Sequence, residues 1–104
     1  MKILNLTPHP ARIGGVDYPA AATPARCREE LIPGGTLAGV PLVKKTLGAV
    51  EGLPPPEPGV LFFVSALVAQ AAWAAGRTDV VCPGEVERDA AGRVVGCVSL
   101  AVAP

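Results

Sequence analysis

Aromatic residues are scarce in this chain: two phenylalanines, one tyrosine and one tryptophan make up 4% of a sequence that is 50% hydrophobic. A core made from it is filled by Val, Leu, Ala and Ile. Excess charge of either sign is also missing, since nine basic and nine acidic residues leave a formal charge of +0. That removes the long-range attraction on which non-specific nucleic-acid binding depends, so duplex nucleic acid is not an expected partner. No apolar run is long enough to span a bilayer, which takes about 20 residues. The longest, Val60 to Ala75, carries Ser65 and Gln70 inside it and reads as a strand running into a helix, with no membrane partner expected. Cysteine is limited to Cys27, Cys82 and Cys97, an odd set. The opening "MKILNLTPHP" lacks the apolar run of a secretory signal, and together these features predict free thiols and a cytoplasmic protein.

The length of 104 residues predicts a single domain, 1–104, whose folding buries roughly 65% of the surface of the unfolded chain. So modest a core gains from tight pairing with another copy, and a homo-oligomer is expected. "KILNLT" has the period of a half-buried strand, with Leu4 and Leu6 on one face and Ile3, Asn5 and Thr7 on the other. Gly14-Gly15 tolerates the positive φ angles of a two-residue hairpin turn inside "ARIGGVDY". "ARCREEL" alternates into a strand with one charged face. "IPGGTLAG" reads as a loop, "VPLVKKTLGAV" as a strand, and "EGLPPPEPG" as a rigid loop.

"VLFFVS" is the kind of short apolar run that is buried on both faces. Ser65 stands as helix N-cap ahead of "ALVAQAAWAA", with Gly76 at the C′ position. That helix is apolar nearly all round, so its alanine-rich face is expected to be sunk in a core or shared with a partner chain. "EVERDAAGRVVGCVSLAV" predicts a hairpin, its turn started by Asp89 and closed by Gly92, and a last strand with Val94, Val98, Leu100 and Val102 on one face. The fold class predicted is α+β: a small, mostly antiparallel, strongly bent sheet of about six strands with one main helix.

The chemistry is thinly marked. His9 and the three cysteines make a Cys₃His set by number only, because none is paired at the C-x₂₋₄-C spacing of structural zinc sites, and no metal is expected. Ser65 lacks the flanking glycines of a nucleophile elbow, and there is no Walker A or G-x-G-x-x-G sequence, so no catalytic residue and no cofactor is assigned. His9 stands between Pro8 and Pro10. These fix φ near −65° and bias Thr7 and His9 toward extended backbone, holding the imidazole in one direction. The candidate ligand-binding residues are Asn5, Thr7, His9, Arg26, Ser65, Arg77 and Asp79. Within that set, a helix start at Ser65 offers N–H groups to an anion, with an arginine to help. The competing reading has Arg77 and Asp79 as a loop ion pair, and Asn5 and Thr7 satisfying turn backbone.

"NLTPHP", "GAVEGLP", "VSALVAQA", "GRTDVVCPG" and "RDAAGRVVGC" resemble the recurring segments of a family of small bacterial and phage proteins, and they cover most of the chain. The family has no established activity, so the resemblance implies a self-contained domain. The functional expectation is a non-enzymatic protein that binds a small anionic, nucleotide-like ligand near Thr7, His9, Ser65 and Arg77. A phage protein sequestering a host signalling nucleotide fits that description. The alternatives are a small hydrolase or nucleotide-processing enzyme using His9, and a structural or protein-interaction module.

Overall fold

Glycine and proline cut the β-branched segments into short pieces, and the one alanine-rich run carries a cap at each end; the chain therefore folds as many strands and a single helix. The computed structural model describes residues 1–104. Its elements are β1 (Lys2–Asn5), β2 (Ala11–Ile13), β3 (Val16–Tyr18), β4 (Arg26–Leu37), β5 (Val40–Glu51), β6 (Val60–Phe63), α1 (Ala66–Ala74), β7 (Val80–Pro83), β8 (Val86–Arg88), β9 (Val94–Cys97) and β10 (Leu100–Ala101). The α+β class is as expected, but the ten strands exceed the six expected and fall into three sheets in place of one. The orders are β1-β6-β7-β10, β3-β2-β9-β8 and β4-β5. The heart of the first sheet is parallel, β1 on β6 and β6 on β7, and β2 also meets β9 in parallel. Parallel pairs join segments far apart in sequence, which periodicity does not reveal.

The strand β6 is buried on both sides. Val64, Val80 and Cys82 face α1, packing with Val68, Ala69 and Ala72. Phe63 and Val81 point the other way, onto Ile13 and Cys97 of the second sheet. The alanine-rich face of α1 is thus covered within the chain, by β7 and the base of β4 and β5, the first of the two settings expected of it. Both helix ends are closed as predicted. Ser65 Oγ accepts from Val68 N at 3.3 Å. At the other end Gly76 (φ 92°) lets its own N–H reach Trp73 O and the Arg77 N–H reach Ala72 O, the Schellman arrangement.

The hairpins at Gly14-Gly15 and Asp89–Gly92 also form, the second held by Asp89 Oδ1, which accepts from Ala91 N and Arg93 N. The predicted last strand divides, because the chain bends at Val98–Ser99 and passes from the second sheet (β9) to the first (β10). Gly84 sits against that bend and bonds Ser99 O; a Cβ there would lie 2.6 Å from Ser99 Oγ. One bent hairpin is in this way shared by two sheets.

The largest departure is "IPGGTLAG". It is not a loop but the distal part of a hairpin of two 12-residue strands, β4 and β5. Gly34-Gly35 is absorbed as a register shift between Pro33 and Thr36, and the turn falls at Ala38-Gly39, where both φ angles are positive (50° and 79°). This arm projects from the body and raises the radius of gyration to 16.2 Å, against about 13 Å for a compact chain of this length.

Candidate functional site

The segment after β1 is organised by Asn5, the one buried polar residue. Its Oδ1 accepts from the Thr7 N–H at 2.9 Å and lies 2.6 Å from the Thr7 hydroxyl; its Nδ2 donates to the His9 carbonyl at 2.9 Å and the Pro19 carbonyl at 3.0 Å. The Thr7 hydroxyl stands between Asn5 Oδ1 and His9 O, 2.9 Å from the latter. Asn5 and Thr7 therefore satisfy turn backbone, and Asn5 has no capacity left for a ligand. What this knot positions is His9: its carbonyl is tied down and the residue itself is exposed.

Beside it lies a cavity of about 620 Å³ between the two four-stranded sheets. Phe63, Pro83, Val86, Val94, Val95 and Cys97 provide its apolar walls, and Thr7, His9, Arg12 and Ser65 its polar groups. Gly96 also lines it, because β9 approaches β2 so closely that a Cβ on Gly96 would lie 2.5 Å from Arg12 O. The N-terminus of α1 opens at Ser65, so the positive end of the helix dipole meets a space that His9 and Arg12 also line, and no carboxylate lines it. Arg12 has one loose partner, Asp17 at 3.8 Å, and both side chains are solvated.

Of the candidates, Thr7, His9 and Ser65 come together here and Asn5 lies beneath them. Arg26 does not: it borders a separate depression with Glu51 and Gly52. Arg77 and Asp79 do not either, which corrects the expected placement of Arg77 beside His9. They form a bidentate pair, Nε to Oδ1 and Nη2 to Oδ2 both at 2.8 Å, while Nη2 also donates to the Pro54 carbonyl at 2.9 Å. The guanidinium lies 5.9 Å from the ring centroid of Phe62. The Arg77 hydrogen bond holds the Asp79 carboxyl below the usual carboxylate range. This pair clamps the proline-rich loop to the end of the helix. The arginine of the cavity is Arg12, whose signal in the sequence was a charge on a short strand two residues past Pro10.

Nucleophilic chemistry finds no support in this arrangement. Burial, and then Glu87, push the Cys97 thiol up, and burial does the same to Cys82, so both stay protonated. Ser65 Oγ is engaged as the cap, and no acid lines the cavity to orient His9 as a base. No three His, Cys, Asp or Glu side chains cluster in a way that could hold a metal ion. No helix is long and apolar enough to cross a membrane. The chain matches no protein-family model, no curated protein and no solved structure.

Proposed function

We propose that this chain is a non-enzymatic binding protein that holds a small anionic, nucleotide-like ligand in the cavity between its two four-stranded sheets. The observation that carries the reading is that His9, Arg12 and Ser65 at the start of α1 line one space together with a set of apolar side chains. A negatively charged group suits His9, Arg12 and the helix start, and a flat, poorly hydrated moiety suits Val86, Val94 and Val95. The volume of about 620 Å³ falls in the range of small-ligand sites, about 300–1,000 Å³. The knot around Asn5 fixes the backbone of His9 in advance, so little order remains to be imposed when a ligand arrives. Such a protein would work in the cytoplasm, and a phage protein that withdraws a host signalling nucleotide fits the description.

The test is retention. The protein is mixed with a pool of nucleotides, desalted and denatured, and the released small molecules are identified by mass spectrometry. An unchanged nucleotide leaving with the protein supports binding, an altered one points to the nucleotide-processing enzyme, and none leaves the protein-interaction module. His9→Ala and Arg12→Ala should each abolish retention with the melting temperature nearly unchanged. His9→Gln should restore part of it if hydrogen bonding matters more than charge. Retention by His9→Ala as tight as by the parent would remove the site from consideration.

A further inference from the structure

Beyond the first few residues of its base, the β4–β5 arm packs on nothing but itself, yet its distal half is rich in large apolar side chains. The register, Ile32 opposite Lys44 and Leu37 opposite Val40, places Ile32, Leu37, Val40 and Leu42 on one face. Their exposures are 46%, 67%, 61% and 42%. An isolated two-stranded ribbon is marginal in water, and a contiguous apolar face on one marks an interaction surface.

We propose that this face is a self-docking surface, packed face to face against the same face of a second copy of the chain. Three observations select that occupant and that mode. The first is area: the accessible surface is 6844 Å², about 1,400 Å² more than the roughly 5,400 Å² of a compact monomer of this mass. The excess exceeds the roughly 800 Å² that each partner contributes to a stable interface. The second is the edges: Pro33 sits opposite Val43 and Pro41 opposite Thr36, and proline is tolerated in a ladder only where its missing N–H would point outward. Each outer edge of the arm therefore lacks a donor, which disfavours edge-to-edge pairing and leaves the faces. The third is charge: Glu30 and Lys44 border the apolar patch on its own face, on the side toward the body. A two-fold axis through the patch places one acidic and one basic group from each copy at the rim of an apolar centre, with no net charge to repel.

The test is sedimentation equilibrium of the full chain beside the Val40→Lys/Leu42→Lys variant. The parent should have twice its chain mass of 10.5 kDa and the variant the chain mass itself, with association weakened at least about a hundredfold by the lysines that docking would bury. Both positions are exposed within the chain, so the circular dichroism of the variant should match the parent's. If the variant does not fold, Leu42→Cys in a Cys27→Ser background decides. Oxidation should link it into a covalent dimer, whereas Val16→Cys on β3 in the same background should stay monomeric. A parent that remains monomeric at millimolar concentration overturns the proposal. So does a dimer indifferent to the lysines in a folded variant, absence of the Leu42 cross-link, or a monomeric parent that binds phosphatidylcholine vesicles.

Discussion

In the body, β6 sets Phe63 against a second sheet and the residue that follows it, Val64, against a helix; in the arm, β5 sets Val40, Leu42 and Val43 against nothing on either side. The two regions use similar residues and differ in where their partners come from. The neighbours of β6 are residues 2–5 and 80–81, distant in sequence, whereas β5 pairs only with the strand just before it. Long-range pairing encloses apolar side chains in layers, and a local hairpin by itself cannot. Substitutions in the two regions should therefore differ in size and in what they disturb.

Phe62→Ala should have the largest effect. Its ring is fully buried and removing it leaves a cavity beneath Arg77, a loss of about 3–5 kcal/mol that chemical denaturation should register as a large fall in midpoint or as failure to fold. Asn5→Ala should cost about 2–3 kcal/mol, since the carbonyls of His9 and Pro19 and the N–H of Thr7 all lose a partner. It should also reduce nucleotide retention, a coupling that no arm variant should show.

Asp79→Asn should cost about 1–2 kcal/mol at neutral pH by weakening the clamp on Arg77. Because the folded-state pKa of Asp79 is depressed, the stabilisation from its carboxylate is present above the unfolded value and is lost as pH falls through the folded one. The thermal stability of the parent should fall once the pH is below about 4, with a correspondingly smaller acid slope in Asp79→Asn. The smallest effect lies at the tip of the arm and has the opposite sign. Ala38 holds φ 50°, and Ala38→Asn, which creates an Asn-Gly turn, should stabilise the hairpin by about 0.5–1 kcal/mol in hydrogen exchange while leaving the body's protection unchanged.

Local signals in the sequence suffice wherever one segment carries its own explanation. Ser65 and Gly76 bracket the helix, Gly14-Gly15 and Asp89–Gly92 make turns, and "VLFFV" is buried on both sides. What escaped needs information from elsewhere in the chain. Pro33 and Gly34-Gly35 look like a break, and only the partner strand shows that they are a bulge on an edge. The parallel pairing of β1 with β6 and the bend at Ser99 depend on residues more than a dozen positions away. In the site, the knot of Asn5 and Thr7 is local and could be anticipated as one of two readings. The Arg77–Asp79 ion pair is local as well and belongs to that same competing reading, whereas charge alone does not place Arg77 beside His9. Arg12 carries no local mark beyond its charge, because the hairpin turn that follows already explains its strand.

The parallel pairings also set an order in time. During synthesis from the N-terminus, β1 has no partner until residues 60–63 have emerged, and β2 meets β9 only at Cys97. The arm is complete as soon as Glu51 is made, its ends joined by a two-residue turn. Short loops close faster than long ones, so the hairpin forms while half of the body is still missing. The surface proposed to join two copies is then finished well before the cavity, and on a shared messenger neighbouring nascent chains would present it to each other before either has a cavity to fill.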